Sequence, residues 1–174
     1  MKSLKNKAKK IKLLLLDVDG VLTDGRIIYS EKGDECKEFS ISDGLGVVLF
    51  KRTGLKCAIV TAKDSKIVRK RAKVLGIDKV YGDYHYKIKA LPLILRDFKV
   101  RKDEICFLGD ELIDIPLLKR VGLSVGVRNS CKEVRKVVDY ITKKSGGNGA
   151  VREVVEILLK SQNKWKKVIA RYFE

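Results

Sequence analysis

Asp17-Val18-Asp19-Gly20-Val21-Leu22-Thr23-Asp24-Gly25 is the stretch on which the fold turns. Residues 11–16 before it, Ile-Lys-Leu-Leu-Leu-Leu, are almost continuously apolar. Such a run reads as a strand buried on both faces of a parallel sheet. Two carboxylates and a glycine then stand where that strand should end. Open α/β sheets bind their ligands beyond the carboxyl ends of the strands. Taken alone, Asp17 and Asp19 read as ordinary turn formers. A calcium loop is excluded, because its fifth and sixth positions need an oxygen ligand and a glycine. Counted from Asp17, those positions hold Val21 and Leu22.

The bulk properties narrow the choice. A chain of 174 residues with 45% hydrophobic residues suits one domain with a real core. No apolar run reaches the length of a membrane span, and the Lys-rich start lacks an apolar signal core. A cytoplasmic protein with no membrane partner is therefore expected. Cys36, Cys57, Cys106 and Cys131 are dispersed and His85 is the lone histidine, which argues against structural zinc. Cys57 and Cys106 fall inside predicted strands, as buried reduced thiols do. The net charge of +17 favours anionic partners, nucleic acid among them. Its basic residues are scattered and no aromatic stacking motif accompanies them, so nucleic acid is the weaker reading. Heavy use of Lys and Glu also suits a heat-adapted surface.

Strand and helix patterns alternate along the chain. Residues 1–10 read as a frayed basic lead-in, residues 11–160 as a single domain, and residues 161–174 as a tail or helix extension. Residues 26–29 and 36–39 flank Lys32-Gly33-Asp34 and predict a β-hairpin flap. A helix should follow Asp43-Gly44, with Asp43 as its cap. Residues 56–60 read as a strand leading into Thr61, and Ser65 as the cap of a helix closed by Gly76. Residues 79–81 form a short strand, and residues 87–98 a helix in which Pro92 must sit early. Residues 104–108 form a buried strand ending in Gly109-Asp110-Glu111, before a helix with Pro116 in its first turn. Residues 123–127 form a strand, 132–138 a short helix, and 140–142 an edge strand. A loop over residues 145–149 precedes a last helix from Ala150. The order implies a three-layer, Rossmann-like α/β fold with a mainly parallel sheet and no large cap. The Gly-rich loop lacks the residues of a P-loop and of a dinucleotide fingerprint.

Asp17 and Asp19, Thr61, Lys87, and Asp110 and Asp114 all lie at predicted strand ends or beside them. A parallel sheet gathers such ends along one edge, so the four segments can share one site. Phosphoryl transfer needs a nucleophile, cations for the phosphoryl oxygens and a proton donor. Clustered carboxylates call for a cation among them, and hard oxygen ligands suit magnesium. Each member has an ordinary reading too. Thr61 can simply end a strand, Asp114 can cap the helix before Pro116, and Lys89 competes with Lys87.

The string DVDGVLTDG, with Thr61 in Val60-Thr61-Ala62 and with Gly109-Asp110-Glu111-Leu112-Ile113-Asp114, resembles the motifs of the haloacid dehalogenase superfamily. Its wording is similar to the branch of small sugar-acid phosphatases typified by 3-deoxy-D-manno-octulosonate 8-phosphate phosphatases, over most of residues 11–156. The resemblance implies Asp17 as nucleophile and Asp19 as acid and base. It implies Thr61 and Lys87 as contacts to the phosphoryl group. A magnesium ion would be bound by Asp17, the Asp19 carbonyl and Asp110, with Asp114 and Glu111 behind them. Glu111 stands where relatives often carry Asp. Asp43, Gly44 and Asn148 are the implied substrate-side residues, and Asn148 replaces a common Arg, which weakens a carboxylate contact. The implied substrate is a small phosphorylated sugar acid, 3-deoxy-D-manno-octulosonate 8-phosphate or a nonulosonate 9-phosphate. The implied assembly is a homotetramer whose Gly-rich loop reaches a neighbouring site. The alternative from another class is a non-catalytic assembly module of the same fold.

Overall fold

The computed structural model describes residues 2–174. Its centre is a six-stranded sheet in the order β5-β4-β1-β6-β7-β8. These strands are β1 (Leu13–Leu16), β4 (Lys56–Val60), β5 (Lys79–Tyr81), β6 (Ile105–Gly109), β7 (Leu123–Gly126) and β8 (Tyr140–Ile141). Every pairing in it is parallel. All four leucines of β1 are fully buried, because the strand has helices on both faces. Leu14 and Leu16 point into one core and Leu13 and Leu15 into the other, following the two-residue period of a strand.

The first core is covered by α1 (Lys2–Lys10), α2 (Ile41–Arg52), α3 (Lys66–Leu75) and α7 (Ala150–Ser161). The second lies under α4 (Leu91–Phe98), α5 (Ile115–Leu118) and α6 (Lys132–Arg135). The fold is therefore the expected three-layer α/β sandwich. From β1 the chain builds outward to β4 and β5, then returns to place β6 on the other side of β1. The order reverses between β1 and β6, and a crevice opens there. Cys57 and Cys106 are buried in the sheet, and burial pushes both thiols well above their usual range.

Several local expectations change. Residues 2–10 are not frayed: α1 packs against α7, with Leu4, Ala8 and then Ile11 just past the helix in the first core. Spacing of four and three residues places these on one helix face, a narrow stripe hidden among lysines. Gln162 ties the segment down by donating to the carbonyls of Ala8 and Ile11. The cap of α2 is Ser40, whose hydroxyl accepts from the Asp43 amide at 3.2 Å. Residues 87–98 split into a 3-10 turn, Lys87–Ala90, and α4, with Pro92 in its first turn. The short helix expected over residues 132–138 ends at Arg135. The tail forms α8 (Trp165–Ile169) and a final 3-10 turn, with Trp165, Val168 and Ile169 against the first core.

The hairpin is a separate two-stranded sheet of β2 (Ile28–Tyr29) and β3 (Glu35–Cys36). It leaves Ile27, Ile28 and Tyr29 exposed. No large cap stands over the sheet, and no helix among the described residues is long and apolar enough to cross a membrane.

Candidate active site

β1 delivers Asp17, and the sheet holds it there: the Asp17 amide still donates to the Leu108 carbonyl of β6 at 3.1 Å. The chain then turns back on itself. The amides of Val21, Leu22 and Thr23 all donate to the Val18 carbonyl. Thr23 is buried, and its hydroxyl oxygen accepts from the amides of Gly20 and Gly25. Gly20 has φ +89, which suits glycine alone. A methyl group at Gly20 would also sit 2.0 Å from Asp110 Oδ2. The glycine therefore lets this turn touch the carboxylate that β6 delivers.

Lys87 is the cation of the site. It is 1% exposed, and its Nζ lies 2.6 Å from Asp17 Oδ1 and 2.6 Å from Asp114 Oδ1. Burial opposes its charge, but Asp17 and Asp114 outweigh that cost and hold the ammonium above its usual range. Lys89, two residues on, is exposed. The 3-10 turn separates the two: it points one lysine inward and the other out.

Asp114 is wholly buried and orients its neighbours. Its Oδ2 accepts from the amides of Asp110 at 2.9 Å and Glu111 at 3.2 Å, while Oδ1 faces Lys87. Glu111 accepts from the Leu112 amide and is exposed at the rim. Thr61 is buried at the end of β4, and its hydroxyl oxygen accepts from the Lys63 amide at 3.4 Å.

Carboxylate oxygens of Asp17, Asp110 and Asp114 lie within 4.8 Å of one another. Among the described residues, one ammonium, that of Lys87, pairs with them. Desolvation, opposed by Lys87 and reinforced by Asp114, pushes the Asp17 carboxyl up to about 7. Desolvation, with Asp17 and Asp114 adding to it, pushes Asp110 up to about 8. Asp110 Oδ1 is buried without a hydrogen-bond partner among the described residues. An orphaned buried carboxylate oxygen beside two more carboxylates fits a hard divalent cation.

Asp19 stands on the open side and is held by the hairpin. Lys37, just past β3, places Nζ 2.5 Å from Asp19 Oδ1 and 3.0 Å from Glu35 Oε1. Its side chain is 2% exposed; burial works against its charge, yet the bonds to Asp19 and Glu35 raise its pKa. No local pattern singles out Lys37 among the 39 Lys and Arg residues. Lys63 was missed for the same reason: it lines the same hollow of about 300 Å³ as Asp17, Asp19, Thr61 and Lys87. Lys63 also pairs with Glu35, so the hairpin is pinned to the site from two sides.

The structure does not place the expected substrate-side residues in this hollow. Asp43 is 1% exposed, and its carboxylate accepts from the amides of Gly149 at 3.0 Å and Arg152 at 2.8 Å. It caps α7 across a helix pair. Desolvation raises its pKa despite those bonds. Gly44 is a packing position: a methyl there would meet the Arg71 guanidinium at 2.5 Å. Asn148 is exposed and lines a different, larger hollow of about 580 Å³ with Ser40, Ser42, Lys143, Lys144 and Arg152. The preceding glycines face inward. The Gly147 amide donates to the Val21 carbonyl at 2.9 Å, so the loop lies against its own chain's acidic turn.

A Rossmann-like sheet with this acidic cluster at its switch point defines a phosphatase of the haloacid dehalogenase class. A profile of haloacid dehalogenase-like hydrolases matches residues 76–154. The chain is 39% identical over 158 residues to the 3-deoxy-D-manno-octulosonate 8-phosphate phosphatase of Escherichia coli K12, covering 91% of this chain and 84% of that protein. The 3-deoxy-D-manno-octulosonate 8-phosphate phosphatase of Moraxella catarrhalis, solved with magnesium ion, phosphate ion and a KDO molecule, superposes with a TM-score of 0.96. It is 42% identical, over 99% of both chains. The cobalt-bound deoxy-D-mannose-octulosonate 8-phosphate phosphatase of Haemophilus influenzae gives 0.90 at 31% identity, over 96% of this chain and 98% of that one. The chain thus belongs to the haloacid dehalogenase-like hydrolases, in the family of the 3-deoxy-D-manno-octulosonate 8-phosphate phosphatases, and is a phosphoric monoester hydrolase.

Proposed function

We propose that the chain hydrolyses a phosphorylated sugar acid, 3-deoxy-D-manno-octulosonate 8-phosphate or a closely related nonulosonate 9-phosphate, in a magnesium-dependent reaction. The observation that carries the mechanism is the pairing of Asp17 with Lys87 beside the unpartnered oxygen of Asp110. The substrate follows from the likeness to the Moraxella and Escherichia phosphatases.

Asp17 attacks phosphorus and forms an acyl phosphate as the bond to the sugar oxygen breaks. Asp19, carboxylic at that moment, gives its proton to the departing oxygen. Its carboxylate then takes a proton from water, which attacks phosphorus and releases inorganic phosphate, regenerating the Asp17 carboxylate. Lys37 holds Asp19 on the open side during both transfers. Lys87 and the Thr61 hydroxyl orient the phosphoryl oxygens, and Asp114 fixes Lys87 and the Asp110 backbone. Asp17, Asp110 and the Asp19 carbonyl would hold the magnesium ion, which supplies positive charge against the developing phosphoryl charge.

The reading includes a homotetramer. The exposed Ile27, Ile28 and Tyr29 of the hairpin support it, as does a hollow left open by the lack of a cap. In it the exposed Asn148 lip of the loop is the part available to a neighbouring site. The deciding experiment measures phosphate release across a panel of sugar phosphates, with magnesium and with chelator. Turnover should be fastest on the acidic sugars and should cease without the ion. Equal rates in rigorously metal-free buffer, or no preference for the acids, would overturn the reading.

A further inference from the structure

We propose that Gly146 is a positioning residue for the metal-binding carboxylates of its own chain, set in place by Asn129. The inference rests on the magnesium site proposed above. Its basis is a stack of three groups with no room between them. At the bottom, the Cα of Gly20 lies against the Asp110 carboxylate, so that a methyl would come within 2.0 Å of Oδ2. At the top, a methyl at Gly146 would lie 1.6 Å from the Gly20 carbonyl oxygen and 3.1 Å from that of Thr23. Asp110 and Gly146 thus both lie against Gly20, which belongs to the turn that joins Asp19 to Thr23.

Both ends of the loop are anchored. Asn129 Oδ1 accepts from the Gly146 amide at 2.8 Å, and the Val21 carbonyl accepts from the Gly147 amide. Asp43 grips the Gly149 amide at the far end. The loop is therefore a fixed buttress, and the glycine content gives close approach of backbones. Composition alone suggested flexibility and reach. Side chains of ordinary size at Gly146 would push Gly20 toward Asp110 and tilt the turn that carries the Asp19 carbonyl. Ligand positions a few tenths of an ångström out of place weaken a small cation that demands near-ideal geometry.

Gly146 separates contact from backbone strain, because its φ lies outside the left-handed region whereas Gly147 has φ +65. Gly146→Ala should lower magnesium affinity tenfold or more, measured by calorimetry on chelator-treated protein. The magnesium concentration for half-maximal turnover should rise in parallel. Asn129→Ala adds no atom and releases only one bond, so it should shift affinity in the same direction by a smaller factor. Gly54→Ala is the control: φ is +82 there, with nothing within 4 Å among the described residues. It should cost stability and leave magnesium affinity at the wild-type value.

Wild-type affinity in folded Gly146→Ala and in Asn129→Ala overturns the inference alone. If Gly146→Ala does not fold, the Asn129→Ala measurement decides by itself. Wild-type protein that binds no magnesium overturns the reading of the site, and the inference falls with it.

Discussion

At the scale of single residues, the site is an imbalance of charge. Three buried or half-buried carboxylates share one ammonium, and the consequences are measurable. Asp17→Asn keeps the size of the side chain and removes the nucleophile, so turnover should vanish while circular dichroism stays that of the wild type. Multiple turnovers by the folded variant would exclude Asp17 as the attacking group. Asp19→Asn should slow turnover by roughly 10²–10⁴-fold, the usual share of acid–base catalysis. The raised carboxyls also predict how stability follows pH. Asp17 and Asp110 titrate near 7 and 8 in the fold, against 3.8 when free. A carboxyl with a raised folded value favours the folded state while protonated. That contribution is complete below about pH 4 and is lost as pH rises through 7 to 8. Metal-free protein should therefore melt at a lower temperature at pH 9 than at pH 6, and saturating magnesium should flatten the slope. An identical slope with and without the ion would show that these carboxyls do not hold it. Asp17, Asp19 and Asp110 were legible because each closes or follows an apolar run. Lys37 was not, because its partner is fixed by a hairpin whose docking no local pattern encodes.

At the scale of elements, the strands at the centre of the sheet were the most readable, since burial on both faces leaves no polar positions in them. The caps Ser65 and Gly76 were equally clear, because a cap acts within its own turn: Ser65 accepts from Val68, and Gly76 adopts the left-handed conformation. Asp43 shows why other caps are hidden. Its hydrogen-bond partners lie 106 and 109 residues further on, and α7 has no cap of its own because Gly149 precedes it. A residue that looked like the start of α2 therefore completes α7. Asp43→Ala would leave two amides at a buried helix end without an acceptor, at a cost of about 1–3 kcal/mol. Urea denaturation checks this, and an unchanged midpoint would refute the cross-helix cap. The hairpin calls for a different test. Lys37→Met keeps the stem and removes the ammonium that fixes Asp19. Asp19 is partly solvated, so the stability loss should be no more than about 1 kcal/mol. The kcat should fall much more than KM rises. A change confined to KM would mean that Lys37 touches substrate and does not position the acid.

At the scale of the whole molecule, the alternation of strands and helices was enough for the three layers, whereas the assembly state was not, because the exposed apolar hairpin residues are too few to read against the sequence background. Charge is read over all the residues together. The net charge is +17, yet four of the 22 acidic residues, Asp17, Asp19, Asp110 and Asp114, are drawn together at one crevice. The surface elsewhere is correspondingly more basic, and Lys63 carries that charge to the rim of the site. Fields of this kind attract anions over distances set by screening, which reach about 10 Å at 0.1 M salt and about 3 Å at 1 M. A sugar acid phosphate carries charge at both ends, so its capture should weaken as salt rises. The expected outcome is a kcat/KM that falls several-fold between low and high potassium chloride, with kcat nearly constant at saturating substrate and magnesium. A neutral salt series with magnesium activity held fixed makes the measurement. The carboxylate-free analogue, the phosphate of a neutral sugar, should show a shallower fall because it presents less charge to the same field. Equal slopes for the two substrates would place the salt effect on the phosphate site alone, and a flat profile for both would remove the basic surface from any part in substrate capture.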